Sequence, residues 1–263
     1  MLHARASLIR RFCYLVIGTV PLWAQERQVV TPPSPLAPAT KKYPPEIIAT
    51  VGFGWSFQQG TFRSRCSRDF SNGIGNGWLV GLAYSAPLLP EWLWGASVLI
   101  NSYNLRASYR EREPIPFAHH TDTLLLPVEM RNQAILQFVT LTLWGYLRWR
   151  PTQWLVASAG PAFFLPLSTH LRHDKELLQR SIRLPSGEVL LLPTTNTTVE
   201  SSRPTARLAI GGLLHCGADL PLGQTWWLSF GIYALLYGSS VLGSPATLRL
   251  SQWYPTVSLG RAW

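Results

Sequence analysis

The sequence Ser251-Gln-Trp-Tyr-Pro-Thr-Val-Ser-Leu-Gly-Arg-Ala-Trp263 alternates between two kinds of side chain. The first kind is mostly large and apolar, and the second is mostly small or polar. The first set is Trp253, Pro255, Val257, Leu259, Arg261 and Trp263, and the second is Tyr254, Thr256, Ser258, Gly260 and Ala262. Alternation with a period of two predicts a β-strand. Bulky side chains on one face and small ones on the other are typical of a membrane-spanning barrel strand, where one face meets lipid and the other meets the lumen.

Seven earlier stretches alternate in the same way and predict seven more strands. These stretches are 47–59, 77–87, 91–109, 133–150, 153–170, 203–219 and 225–237. The connections between them alternate in length. The long polar ones are 60–76, 110–132, 171–202 and 238–250, and the short ones, which carry proline, are 88–90, 151–152 and 220–224. We therefore predict an all-β fold, an eight-stranded antiparallel up-and-down transmembrane β-barrel, with short turns and both termini in the periplasm and long loops outside.

The composition agrees with a membrane barrel. Hydrophobic residues make up 47% of the 263 residues and charged residues only 14%, against roughly 25% charged residues in soluble domains. The formal net charge of +10 suits a surface of anionic lipid or lipopolysaccharide. The basic residues form no continuous run, so nucleic acid is not a predicted partner.

Two segments precede the barrel, which we place at residues 47–263. Residues 1–25 are predicted to be a signal peptide, with a basic start and an apolar core from Phe12 to Trp23. That core is too short to span a bilayer as a helix, which takes about 20 apolar residues. Residues 26–46 are rich in proline and predict an extended periplasmic leader.

The positions of the tryptophans support this topology independently, because they were not used to assign the strands. Seven of them lie within a few residues of a predicted short turn or of the end of the sequence. They are Trp92, Trp94, Trp149, Trp154, Trp226, Trp227 and Trp263. Tryptophan is enriched where a membrane meets water, so these seven predict an aromatic girdle at one membrane interface.

Two other architectures fit the sequence less well. The stretch 226–243 is nearly uncharged and long enough for a transmembrane helix, but the two-residue gap at Pro151-Thr152 and the internal Pro161 and Pro166 disfavour helices. A soluble lipocalin-like barrel would reverse the pattern, with a polar outside and an apolar cavity. A broad apolar set opposite a small polar set favours a lipid exterior.

The segment Gln137-Phe-Val-Thr-Leu-Thr-Leu-Trp-Gly-Tyr-Leu-Arg-Trp-Arg-Pro151, followed by Trp154-Leu-Val-Ala-Ser-Ala-Gly-Pro-Ala-Phe163, resembles the central hairpin of a known family. This is the small outer-membrane-protein β-barrel domain family, the PorT-like relatives of OmpA- and OmpX-type barrels. The step Ala159-Gly-Pro161 carries the resemblance, and the organisation is similar over residues 47–263. The resemblance implies the outer membrane of a diderm bacterium and no general active site. It also implies that the last strand, ending on an aromatic residue, is read by the barrel insertion machinery.

Side chains that could carry out chemistry are few. Ser168 and His170 share one face of a predicted strand, and a serine beside a histidine suits a lipid A-modifying enzyme. No carboxylate is placed to orient His170, so we predict no catalytic residue and keep this enzyme as the first alternative. His119-His120, His170 and His173 are expected to be solvated loop histidines, so neither a metal nor another cofactor is predicted.

Four polar residues are predicted to face the lumen and to form a network there: Arg148, Arg207, His215 and Asp219. An eight-stranded barrel is filled by side chains, so a wide pore is not expected and a narrow small-solute channel is the second alternative.

The predicted outer loops carry many arginines, whose guanidinium groups suit lipopolysaccharide phosphates. The same loops carry acidic residues, so a merely solvated surface is an equal interpretation. We predict a non-enzymatic integral outer-membrane barrel whose long extracellular loops contact lipopolysaccharide, partners or the environment.

Overall fold

The computed structural model describes residues 43–64, 68–119, 122–183, 187–192, 196–243 and 246–263, without the side chains of 117–119 and 122–124. The predicted signal peptide and most of the predicted leader lie outside these ranges. In the part of the chain that is described, no helix is long and apolar enough to cross a bilayer.

Strands make up about four fifths of the described chain. In chain order they are β1 (Glu46–Gln59), β2 (Phe62–Arg63), β3 (Asp69–Phe70), β4 (Gly73–Leu89), β5 (Trp92–His119), β6 (Asp122–Trp149), β7 (Leu155–Leu177), β8 (Ser181–Arg183), β9 (Val189–Leu191), β10 (Asn196–Ser202), β11 (Ala209–Pro221), β12 (Trp226–Tyr237) and β13 (Arg249–Ala262).

Eight of these strands close into a ring in which each strand pairs with its neighbours in antiparallel fashion. The order around the ring is β1, β4, β5, β6, β7, β11, β12 and β13, and β13 pairs back with β1 from Glu46 opposite Ala262 onward. The order follows the chain, so the topology is up-and-down. This confirms the predicted eight-stranded antiparallel barrel. We call the end with the three short connections the turn end and the opposite end the loop end.

The side chains alternate between the two faces as the sequence predicts. Along β13, Pro255, Val257 and Leu259 are exposed, while Thr256 and Ser258 between them are buried. On β5 and β6 large apolar side chains cover the outer face from the Trp92–Trp149 pair to the Ile100–Leu141 pair. At 3.3 Å per residue and a tilt of about 40°, this apolar belt is roughly 20 Å tall, close to the ~25 Å apolar band of outer-membrane barrels.

The prediction of long loops at 110–132 and 171–202 is wrong for most of those residues. The β5–β6 pair continues without interruption from the belt to His119 opposite Asp122, and β7 runs on to Leu177 and pairs there with β10. We call the parts of β5, β6 and β7 beyond the belt, together with β10, the projecting sheet. Outside a membrane both faces of a sheet can be polar, so these strands lack the apolar alternation that marks a strand in sequence.

Prolines mark the free edge of the projecting sheet. The β4–β5 pairing ends at Gly73 opposite Ala107, and among the described strands none pairs with β5 on that side beyond this point. This edge carries Pro114 and Pro116, and Pro114 lies opposite Pro127 of β6. Proline has no backbone N–H to donate to a neighbouring strand.

Candidate functional site

The turn end of the lumen is closed by four charged side chains that come from four different places in the ring. Glu46 starts β1, Arg148 lies near the end of β6, Arg150 follows β6, and Asp219 lies near the end of β11. The short turns hold the ends of these strands together, so the four charges meet inside the barrel. We call this cluster the ionic seal.

Each carboxylate of the ionic seal contacts both arginines. The Glu46 Oε1 and Oε2 atoms lie 2.8 Å from Arg148 Nη1 and 3.1 Å from Arg150 Nη1. The Asp219 Oδ2 atom lies 3.4 Å from Arg148 Nη2 and 2.5 Å from Arg150 Nη2. All four side chains are at most 8% exposed. Two positive and two negative charges balance, which is the condition under which buried ions are tolerated.

Aromatic rings enclose the guanidinium groups of the ionic seal. The Trp227 ring lies 5.0 Å from the Arg148 guanidinium carbon and 5.2 Å from that of Arg150, and Tyr43 lies 5.3 Å from Arg150 on another side. Trp227 can lie there only because its neighbour on β13 is Gly260, where a Cβ would collide with the indole ring. Such cation–π contacts strengthen as water is excluded.

Above the ionic seal the lumen is filled by aromatic and then by polar side chains. Tyr233 packs between His215, at a ring distance of 4.4 Å, and Trp144, at 5.8 Å. Nearer the middle, the Asn101 carbonyl oxygen accepts hydrogen bonds from the hydroxyls of Thr140 (2.7 Å) and Thr142 (3.0 Å). The Asn101 amide donates to Gln252 at 3.1 Å. These layers leave the lumen packed rather than open.

The loop end is closed in a different way, by the β2–β3 hairpin. Phe62 and Phe70 point from this hairpin into the barrel, are each 1% exposed, and stack at 5.2 Å. Phe70 also contacts Tyr109 of β5 at 5.0 Å and the edge of His173 of β7 at 5.6 Å. We call the hairpin with its two phenylalanines the aromatic cap.

A buried histidine ties the aromatic cap to the projecting sheet. The His173 Nε2 atom lies 3.0 Å from the Asn132 amide oxygen, and its Nδ1 atom lies 2.8 Å from the Ser64 hydroxyl. An amide oxygen only accepts, so Nε2 carries the proton and Nδ1 accepts from Ser64. Burial, followed by the nearby charge of Lys175, lowers the pKa of His173 below its ordinary value. The closed cap therefore holds this histidine neutral.

The structure brings together only some of the residues that the sequence places in a lumen network. Arg148 and Asp219 meet in the ionic seal, and His215 is buried in the aromatic layer above it. Arg207 does not join them, because β11 begins only at Ala209 and Arg207 is exposed in the preceding connection. The prediction for Arg207 is therefore wrong.

Three members of the cluster at the turn end were missed by the sequence reasoning. Arg150 is the last residue of the predicted strand 133–150, and the same alternation that turns Arg148 inward also turns Arg150 inward. The sequence places Glu46 in the leader, although it is the first residue of β1. The prediction that Trp227 joins the girdle is wrong, because Trp227 stands beside the exposed Trp226 but faces inward, and the alternation of β12 could have separated the two.

Six of the seven predicted girdle tryptophans lie on the outer surface at the turn end, and the seventh, Trp227, faces the lumen. Trp92 and Trp149 are strand partners whose rings stack at 6.2 Å. Trp94 and Trp263 both pack against Tyr84 at ring distances of 6.3 Å. Trp154 and Trp226 are also exposed, and Arg261 lies over the Trp226 ring at 5.4 Å.

The residues considered for chemistry are not assembled into a site within the described chain. Ser168 is exposed and His170 half-buried, and neither makes a side-chain hydrogen bond to a described residue. A bulge where Val139 pairs with Ser168 and Thr140 with Pro166 turns both side chains outward. The side chains of His119 and His120 lie outside the described residues. Elsewhere in the described ranges, no three histidine, cysteine or acidic residues are grouped as metal ligands.

The sequence matches no protein-family model and no curated protein. Among solved structures it is similar to Ail of Yersinia pestis, at 10% identity over 83% of this chain and 98% of that chain, with a TM-score of 0.30. It is also similar to Neisserial surface protein A, at 8% identity over 82% of this chain and 97% of that chain (TM-score 0.31). A third is the outer membrane protein OprG of Pseudomonas aeruginosa, at 9% identity over 85% and 98% (TM-score 0.36).

These TM-scores are low, so the class of the protein rests on its own geometry. A closed ring of eight strands pairs each strand of the belt with a neighbour on both sides and leaves no free strand edge there, which is what a chain surrounded by hydrocarbon requires. With bulky apolar side chains outside and charges inside, the molecule is a transmembrane β-barrel of the eight-stranded class.

Proposed function

We propose that this chain is a non-enzymatic integral component of the bacterial outer membrane, whose projecting sheet contacts lipopolysaccharide outside the cell. The proposal rests on where the apolar and charged side chains lie: apolar side chains cover the outer face of the barrel, and charged ones are buried in its lumen. Phe53 and Leu82 are more than 60% exposed on its outer face, while Arg148 and Glu46 are at most 3% exposed inside. A soluble barrel would place these groups the other way round, because exposed apolar surface of this extent is costly in water.

The two ends of the barrel support one orientation in the membrane. The turn end carries the six exposed girdle tryptophans and three short connections, which suits the periplasmic interface. The projecting sheet would then stand outside the cell and both termini would lie in the periplasm. The last strand, β13, closes the ring against β1, and we propose that the insertion machinery engages this strand.

A channel is not the function that the described lumen favours. Tyr103 and Tyr254 are fully buried in its middle, and the ionic seal closes the turn end. An enzyme is also not favoured, because Ser168 and His170 point outward without a carboxylate partner. We propose instead that the barrel is a rigid base that holds the projecting sheet above the membrane.

Membrane partition tests this proposal. The full chain expressed in a diderm bacterium should appear in the outer-membrane fraction. Purified protein refolded in detergent should insert into liposomes and migrate faster on gels before heating than after. Recovery of folded protein from the aqueous fraction without detergent would refute the membrane assignment. Steady ion conductance of wild-type protein in planar bilayers would instead restore the channel alternative.

A further inference from the structure

The outer face of the projecting sheet carries more positive than negative charge. Its arginines are Arg106, Arg110 and Arg112 on β5, Arg131 on β6 and Arg172 on β7, and its acidic residues are Glu129, Asp174 and Glu176. The acidic residues lie on β6 and β7, so the β5 side of this face is the positive side. A polyanion would therefore bind towards β5.

Two of these arginines form a pair of like charges on neighbouring strands. Arg110 and Arg131 are direct partners in the antiparallel pair of β5 and β6, with side chains on the same outer face. Like charges directly opposite each other across two strands are destabilising. Both side chains line a polar groove of about 510 Å³ together with Ser108 and Gln133.

The neighbouring carboxylates neutralise this pair only partly. Arg110 has one acidic neighbour, Glu129, at 3.8 Å, and remains 65% exposed. Arg131 lies 3.2 Å from Glu176 and is 39% exposed. The guanidinium groups therefore keep free N–H donors on the groove side. An oxyanion between them would accept from both and remove their repulsion, and guanidinium forks match phosphate geometry.

The height of the groove indicates which phosphate could reach it. Arg110 and Arg131 lie beyond the Ile100–Leu141 pair that ends the belt, by roughly 25 Å at 3.3 Å per residue and a tilt of about 40°. That is too far from the hydrocarbon for a phosphate on lipid A itself. Phosphates on the core sugars of lipopolysaccharide stand further out and fit this height.

We propose that Arg110 and Arg131 form a clamp for a phosphate group on the core oligosaccharide of lipopolysaccharide, with Ser108 and Gln133 as supporting hydrogen-bonding groups. This inference rests on the proposed outer-membrane function and names the chemical group that the projecting sheet recognises. The repulsion between the two arginines is then the cost of keeping the site ready for its anion.

Binding measured with the full chain in detergent micelles tests the clamp. The probes are rough lipopolysaccharide with its core phosphates, the same lipopolysaccharide after removal of those phosphates, and inorganic phosphate alone. Wild-type protein should bind the phosphorylated form at least about tenfold more tightly than the dephosphorylated form. The double variant Arg110→Gln/Arg131→Gln should lose that preference and should melt no lower than wild type without lipopolysaccharide, because it removes a repulsion.

Arg183→Gln is the matched control, since it removes an exposed arginine from the β8–β9 hairpin, away from the groove. It should keep the full preference for phosphorylated lipopolysaccharide. An equal loss in this control would show diffuse charge attraction and overturn the clamp, as would equal binding of both lipopolysaccharide forms by wild type. If inorganic phosphate displaces lipopolysaccharide completely at micromolar concentration, free phosphate and not the core sugar is the ligand. None of these outcomes bears on membrane insertion, which the partition experiment reports separately.

Discussion

The two ends of this barrel are closed by different means. At the turn end, charges from β1, β6 and β11 and the residue after β6 meet in the ionic seal, and each is fixed by a strand of the ring. At the loop end, the short β2–β3 hairpin covers the lumen with two phenylalanines and one histidine contact. The first closure is part of the ring and cannot open unless the barrel does. The aromatic cap is a separate hairpin, which can detach from the lumen while the ring stays intact.

The largest expected effect comes from unbalancing the ionic seal. Asp219→Asn leaves two buried arginines against one carboxylate, and breaking a buried ion pair in this way costs about 3–5 kcal/mol. The free energy of unfolding from urea titration in liposomes measures the loss. Arg150→Gln added to this variant restores the charge balance and should recover part of the stability. A single variant as stable as wild type would show that the seal is not a coupled unit.

A second test separates the membrane half of β6 from its projecting half. Leu143→Arg places a charge in the belt and should cost about 2–4 kcal/mol, measured by the same urea titration. Leu125→Arg, at an exposed position on the outer face of the same strand far beyond the belt, should change the stability by less than about 0.5 kcal/mol. Similar losses at both positions would mean that the belt is not surrounded by hydrocarbon.

The aromatic cap should respond to pH while the turn end does not. The pKa of His173 is lowered by burial in the closed cap, so the closed state favours the neutral ring. Its stability is fully present above the ordinary histidine pKa of about 6.5 and is lost as the pH falls below that value towards the lowered pKa. The groups facing the ring are Ser64, Asn132, Lys175, Asp174, Glu113 and Glu200.

Hydrogen exchange of the β2 and β3 amides, corrected for intrinsic rates, measures this opening. Between about pH 7.5 and pH 5.5 the cap amides should lose protection while the amides of β11 and β12 keep theirs. His173→Gln should abolish the pH response, and His170→Gln, which alters a neighbouring histidine outside the cap, should preserve it. Equal loss of protection at both ends would contradict a cap that opens independently.

The smallest expected effect is at the outer margin of the cap. Arg68 pairs with Glu111 at 2.8 Å, but the arginine is 78% exposed, and exposed ion pairs contribute about 0–1 kcal/mol. Arg68→Gln should therefore raise the exchange rate of the cap amides by less than about tenfold. Ser64→Ala, which removes the histidine contact, should have a larger effect of about 1 kcal/mol.

The barrel itself could be predicted from sequence, because lipid on one side and a packed lumen on the other impose alternation on every strand of the ring. Where that asymmetry ends, the prediction fails. The projecting parts of β5 and β6 have polar residues on both faces, so the sequence predicts a loop at 110–132. The ionic seal was found only in part, because Glu46 and Asp219 are 173 positions apart in numbering (219 − 46) and only the closed ring brings them together. Arg207 was misplaced because the strand was begun too early.

The prolines at the free edge of the projecting sheet affect whether neighbouring copies of the protein can pair with each other. In the proposed outer-membrane setting, copies of the protein would stand side by side, and an unprotected strand edge above the membrane would be a template for pairing between copies. Pro114 and Pro116 remove two donors from that edge, so a neighbouring copy finds no continuous ladder to extend. In the proposed orientation, the tall sheet could thus stand at high density on the cell surface without pairing between copies.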